Sequence, residues 1–275
     1  MEAAKVPENG KSLTLSNGVE LTYCEFGEEH DEVIISGAFY FVSFTPILKK
    51  LADNYHVYGV VMRMDGPITE KTAGGETDWS SQWCEDIYQF AKEMHLPAFT
   101  YLGKCHGSMP GWKLLQKHPE VLHSFIPISM IPGSHLIDSP NLKSMLMLQM
   151  KPGRLIDFIR ATVRKEESIQ IKLQEMKTLG KSGLIRSPYM GSFMECKSYD
   201  EVLDFMKDVH TPMLMIYGTE DPGYKDWKAQ IMELAAIVPD MKLVTYQGER
   251  HLFELDIPDK IAGEVLFYLD QLRAE

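Results

Sequence analysis

Short apolar runs and longer stretches of helical periodicity take turns along most of this chain. Residues 13–15 and 19–25 flank Asn17-Gly18, a two-residue turn signal that predicts a β-hairpin. The apolar run 33–35 ends at Ser36-Gly37, residues 45–51 read as a short helix, and 57–62 is a second apolar run. Trp79, Trp83, Ile87, Phe90, Ala91 and Met94 share one face of a helix over 79–94. A strand at 99–102 breaks at Gly103, residues 106–118 read as helix, and 124–128 is again strand-like. Further on, strands at 213–217 and 241–246 enclose a helix at 227–237. Ile261, Val265, Leu266, Leu269 and Leu272 mark a closing amphipathic helix.

Strands that are apolar almost throughout, alternating with helices, imply a mostly parallel sheet covered on both faces, an α/β class. The leading hairpin would add an antiparallel edge. The alternation breaks once, over 131–210, where pieces at 141–150, 155–179 and 200–208 are helix-like and no strong strand is found. The expected organisation is therefore an α/β core of residues 1–130 and 211–275 with a helical lid over 131–210.

Composition narrows the function classes. A net charge of −11 over 275 residues gives no electrostatic footprint for nucleic acid or an anionic membrane surface. No apolar run approaches the roughly 20 residues of a membrane helix, and the polar N-terminus MEAAKVPENGKSLTL lacks a signal pattern. The four cysteines, Cys24, Cys84, Cys105 and Cys196, lack CxxC spacing, so neither a disulfide framework nor structural zinc is expected, and a reducing cytoplasm is the simplest compartment. No phosphate loop, metal cluster or dinucleotide fingerprint is present, so no cofactor is implied. The sequence does not indicate an oligomeric state.

The most informative segment is Tyr101-Leu102-Gly103-Lys104-Cys105-His106-Gly107-Ser108: a strand, then Gly-x-Cys-x-Gly, then a helix. Alone, the pentapeptide also fits a buried cysteine beside a glycine turn. In its strand-before, helix-after setting it fits a strained turn that lifts a nucleophile above a sheet, with glycines allowing close backbone approach. Cys105 would sit at a helix N-terminus, whose positive end favours thiolate.

This segment resembles the nucleophile elbow of the α/β-hydrolase superfamily, with cysteine replacing the usual serine, and the resemblance extends over nearly the whole chain apart from the lid. The stretch 212–222, a strand followed by Gly218-Thr219-Glu220-Asp221-Pro222, resembles the loop carrying the family's acid, with Asp221 at the matching position and Glu220 its nearest competitor. Gly248-Glu249-Arg250-His251, before the closing helix, resembles the histidine loop and singles out His251 among nine histidines. Ile34-Ile35-Ser36-Gly37-Ala38-Phe39 matches the loop supplying the second oxyanion N–H, from Ala38, although the family usually has histidine where Ser36 stands. His106 would supply the first, through its backbone rather than its ring.

The resemblance implies a Cys105-His251-Asp221 triad, oxyanion donors at Ala38 and His106, and a thioester intermediate. Thioesters react with amines, alcohols and thiols as well as water. Cysteine-based dienelactone hydrolases and the Gly-x-Cys-x-Gly polyhydroxyalkanoate synthases mark those two directions. The cysteine is either native chemistry or a replacement of serine. The expected function is hydrolysis of an ester, thioester or lactone of a mostly apolar small molecule. Acyl transfer, a non-catalytic ligand binder of the same fold and lyase chemistry are the alternatives. Seventeen methionines, several between Met130 and Met150, suggest an adaptable apolar pocket, with Phe39, Met130, Met145, Met147 and Met150 as candidate substrate contacts.

Overall fold

The structure is a computed structural model that describes residues 10–38, 44–64, 66–71, 75, 78–151, 153–179 and 193–274, without the side chains of 149–150 and 177–179. Its centre is one eight-stranded sheet, ordered β1-β2-β4-β3-β5-β6-β7-β8. The strands are β1 (Lys11–Thr14), β2 (Glu20–Phe26), β3 (Val33–Ala38), β4 (His56–Val61), β5 (Phe99–Lys104), β6 (Leu122–Ile128), β7 (Met213–Gly218) and β8 (Met241–Tyr246). The hairpin β1–β2 is antiparallel, turning at Gly18 with φ of 81°, and β2 is antiparallel to β4; all other pairings are parallel.

Successive strand residues face opposite layers. Ile35, Tyr101, Phe125 and Met213 join one core cluster, while their neighbours Ile34, Leu102, Ile126 and Leu214 join the other. The first layer is covered by α2 (Trp79–Glu93), α3 (Met109–Lys117) and α8 (Pro222–Ile237). The second is covered by α1 (Thr45–Leu51), α9 (Phe253–Asp256) and α10 (Pro258–Ala274). Both faces of the sheet are thus dry, which is why its strands read as unbroken apolar runs.

Between β6 and β7 stand α4 (Pro140–Met150), α5 (Leu155–Thr162), α6 (Glu166–Leu179) and α7 (Tyr199–Met206), and the described residues of this stretch contain no strand. The helical piece expected over 155–179 is two helices, since α5 stops at Thr162 and its capping residue Val163 is extended. Met145, Phe158, Ile159, Val163 and Ile169 form a small cluster of their own. Polar contacts tie these helices down. The Asp226 carboxylate accepts from the backbone N–H groups of Asn141 and Leu142 at the start of α4. Asp256 accepts from those of Arg164 and Lys165 at 2.7 and 3.0 Å, beside the first turn of α6.

Candidate active site

Strand β5 ends at Lys104 and the chain turns at once into a short 3₁₀ turn, Cys105–Ser108, that leads into α3. Cys105 adopts φ of 52°, a left-handed conformation that costs a non-glycine residue on the order of 1–3 kcal/mol. The two flanking glycines are required sterically. A Cβ on Gly103 would lie 2.4 Å from the carbonyl oxygen of Gly107, and one on Gly107 would lie 2.3 Å from that of Gly37 at the end of β3. The Tyr101 hydroxyl donates to the Gly107 carbonyl at 2.8 Å and the Ser108 hydroxyl to the Gly103 carbonyl at 2.8 Å, so the turn is bonded from both sides.

The acid and histidine loops are laced together at the ends of β7 and β8. A Cβ on Gly218 would meet the Glu249 carbonyl oxygen at 2.4 Å, and the Glu220 N–H donates to that same oxygen at 2.8 Å. Asp221 is completely buried and its two oxygens divide their work. Oδ1 accepts from the Gly223 N–H at 2.8 Å, capping α8, while Oδ2 lies 3.0 Å from His251 Nδ1. Glu220, the competing carboxylate, is exposed and paired with Lys225. The local geometry therefore separates the two adjacent acids cleanly.

Burial alone would push the Cys105 thiol up; the charges of His106 and His251, with hydrogen bonds from both rings, overcome this and hold it well below the ordinary thiol range. Burial would likewise lower His251, but the Asp221 carboxylate and the Cys105 sulfur raise it to about 9 against the opposing Lys104 charge. For Asp221, burial works upward, and His251 dominates and holds the carboxyl below its usual value. The three groups favour thiolate, imidazolium and carboxylate, in that order along the chain of contacts. Cys24 and Cys84 are buried without an imidazole beside them among the described residues; burial dominates and pushes their thiols up, that of Cys24 to about 11 and that of Cys84 against the weaker pull of Lys117 and Lys113.

Two features were not anticipated from sequence. The His106 ring, expected to matter only through its backbone, puts Nδ1 3.3 Å from the Cys105 sulfur. Lys104, beside the nucleophile turn, contacts the His251 carbonyl oxygen and lies 3.8 Å from the buried Glu254 carboxylate, bracing the histidine loop from behind. A lysine between Gly103 and Cys105 was legible, but its buried partner 150 positions away was not.

The expected substrate contacts fare unequally. Met130 is buried in the core cluster against which Cys105 packs, and Met145 is buried in the separate cluster of α4 to α6. Met147 is 51 % exposed: two positions beyond Met145, about 200° around the helix, it points away from the cluster that buries Met145. Phe39 and the Met150 side chain lie outside the described residues. Ala38 ends β3, and the loop continuing from it is likewise outside them. Among the described residues, no helix is long and apolar enough to cross a membrane and no group of His, Cys, Asp and Glu side chains is arranged to hold a metal ion.

No protein-family profile and no curated protein sequence matches this chain. Solved structures do. A serine hydrolase from the polyaromatic-hydrocarbon-degrading bacterium Cycloclasticus zankles superposes with a TM-score of 0.75 at 13 % identity, over 95 % of this chain and 97 % of that one. The meta-cleavage product hydrolase CumD of Pseudomonas fluorescens IP01 gives 0.74 at 13 %, over 95 % and 98 %. Naproxen esterase of Bacillus subtilis gives 0.70 at 14 %, over 96 % and 92 %. With the strand order described above, they define the architecture as an α/β-hydrolase fold.

Proposed function

We propose that the protein is a hydrolase that cleaves an ester, thioester or lactone of a mostly apolar small molecule through a Cys105-His251-Asp221 triad and a thioester acyl-enzyme. The observation that carries this reading is the strained Cys105 backbone, at φ of 52°, beside His251, whose far nitrogen is 3.0 Å from a buried carboxylate. Held together, a strained nucleophile turn, an imidazole and a buried carboxylate serve acyl transfer, whereas ligand binding has no need of all three. The structural neighbours named as a hydrolase of meta-cleavage products and an esterase agree in reaction class.

The chemistry follows from the groups present. The Cys105 thiolate attacks the acyl carbon, and the carbonyl oxygen becomes an oxyanion facing the backbone N–H of His106 and, by the family pattern, that of Ala38. His106 lies in the first helical turn, where N–H groups have no intrahelical acceptor. As the tetrahedral intermediate collapses, the imidazolium of His251 gives its proton to the leaving group and the thioester forms. Neutral His251 then takes a proton from water, hydroxide adds to the thioester carbon, and collapse returns the thiolate and releases the acid. Asp221 fixes the imidazole tautomer throughout. Helices α4 to α7 act as a lid that covers the acyl group, with Met130 and the neighbouring core cluster forming the apolar wall.

Cysteine in place of serine favours a second outcome, transfer of the acyl group to an amine, alcohol or thiol, because a thioester stays reactive toward all three. Turnover of a panel of acyl thioesters, esters and lactones, with and without amine acceptors, tests the reading. Free acid as product, with Cys105→Ser much slower, is expected; a Cys105→Ser enzyme as fast as the parent contradicts a thiol-based mechanism.

A further inference from the structure

We propose that the imidazole of His106 is a second proton partner of the Cys105 sulfur, so that the thiolate does not depend on His251 alone and His251 is left to serve the leaving group and the incoming water. This rests on Cys105 being the nucleophile, and it assigns to His106 a side-chain role in addition to its backbone one.

The geometry starts from the turn. With Cys105 held in the left-handed region and Gly107 pressed against the Gly37 carbonyl, the side chains of residues 105 and 106 emerge on adjacent sides of a tight 3₁₀ turn. His106 Nδ1 comes to 3.3 Å from Sγ, well inside the reach of a sulfur hydrogen bond. At that distance the two atoms can share one proton. With neutral cysteine, S–H donates to the Nδ1 lone pair; after transfer, Nδ1–H donates to the thiolate and the ring carries the positive charge. His251 offers the sulfur a second charge and a second hydrogen bond. An enzyme relying on one histidine must use it both to keep sulfur ionised and to deliver a proton to the leaving group. Two imidazoles divide those tasks.

The groups acting on the sulfur can be named element by element. His106 belongs to the nucleophile turn itself, and His251 and, behind it, Asp221 come from the loops after β8 and β7. Lys104 and Glu254 form a pair behind His251, and Lys104 opposes the positive charge of that ring. Tyr217 of β7 is buried, its hydroxyl feels both the Cys105 and Asp221 charges, and burial with those charges keeps it a neutral phenol. The two imidazoles are thus the side chains hydrogen-bonded to the sulfur among the described residues.

The test is the rate of Cys105 alkylation by iodoacetamide as a function of pH, read by peptide mass spectrometry so that the partly exposed Cys196 is counted separately. His106→Phe should slow alkylation about tenfold or more at pH 7, with the difference vanishing where any thiol is ionised, near pH 10. His106→Asn, which keeps a donor near the Nδ1 position without the charge, should fall between. His251→Asn should lose turnover while retaining rapid alkylation at neutral pH, and the double variant, left with burial and no imidazole beside the sulfur, should react more slowly than an ordinary thiol. Circular dichroism and an unfolding transition like the parent's show that each variant is folded, and the rise of its alkylation rate with pH shows the thiol accessible. A His106→Phe curve superimposed on the parent's overturns the proposal, as does a His251→Asn curve that already matches an ordinary thiol. Turnover surviving in Cys105→Ala would instead defeat the nucleophile reading and leave the alkylation result standing.

Discussion

The loops at the ends of β5, β7 and β8 and the helices α4 to α6 are built on opposite principles. The loops are fixed by contacts that tolerate no added atom: Gly103 against Gly107, Gly107 against Gly37, and Gly218 against Glu249, each with room for a hydrogen but not a Cβ. The helices rest on a five-residue apolar cluster and on polar ties to the half-buried Asp226 and the buried Asp256. Under the proposed function, chemistry that depends on atoms placed to within a few tenths of an ångström would use the tightly packed loops, and recognition of an apolar group would fall to the helices. The two meet at the histidine loop, where the Leu252 N–H donates to the Thr162 carbonyl at 2.8 Å and Arg164 pairs with Glu249 at 3.0 Å.

The largest effects should come from the rigid part. Cys105→Ala and His251→Ala are each expected to lower turnover by about 10³-fold or more, since members of a triad act as a unit; Cys105→Ala should leave the unfolding temperature nearly unchanged, whereas His251→Ala should also lower it by leaving the buried Asp221 carboxylate unpaired. Asp221→Asn should lose on the order of 10⁴-fold by the serine-protease precedent, somewhat less if the cysteine is already ionised. Steady-state kinetics beside thermal unfolding checks this, and a variant that loses stability in proportion to activity would blur the division drawn above.

The pH profile is the next expected effect. A preformed thiolate–imidazolium pair requires His251 to be protonated, so kcat/KM should fall as pH rises through about 9. The acid limb should lie well below the ordinary thiol range, because the thiol is held down. A neutral thiol–imidazole pair predicts the reverse, activity rising through that region. Lys104→Met removes a charge that depresses His251, so the alkaline limb should move to higher pH. The same sign governs stability: a histidine raised above its unfolded value of roughly 6.5 contributes fully below that pH and loses its contribution as pH climbs through about 9.

Smaller effects belong to the helices. Phe158→Ala hollows their cluster and should cost about 2–4 kcal/mol locally, read as faster proteolysis or amide exchange within 140–179 and a raised KM with nearly constant kcat. If it instead melts the sheet, the helices are not an independent element. Met147→Ala, on the exposed side of α4, should change stability by less than about 0.5 kcal/mol.

What the sequence disclosed follows the same division. Strand runs such as 213–217 and the helical face of Trp79, Trp83 and Ile87 were legible because each is buried along its whole length or along one side. The parallel sheet with its antiparallel edge hairpin followed from the alternation of runs, whereas the strand order, with β4 between β2 and β3, is set by pairings far apart in the chain that no local pattern records. In the helical stretch, α5 and α6 merged into one expected helix, because the break at Val163 is made by ties to Asp256 and the histidine loop, which no local pattern records. Which of Met145 and Met147 is buried was not legible, because α4 is apolar on nearly every side and its periodicity does not say which face is inward. His106 was assigned by its backbone alone, since the direction of its ring depends on the left-handed turn at the residue before it.

The central claim is that acyl groups pass through the sulfur of Cys105. Intact-mass and peptide mass spectrometry after mixing the protein with acyl thioesters, acid-quenched within the first turnovers, tests it directly. The account predicts one added acyl mass on the peptide containing Cys105, absent in Cys105→Ala and persisting longest with substrates whose thioester is slowest to hydrolyse. Turnover with no acyl mass on that peptide, or with the mass on another residue, would contradict it.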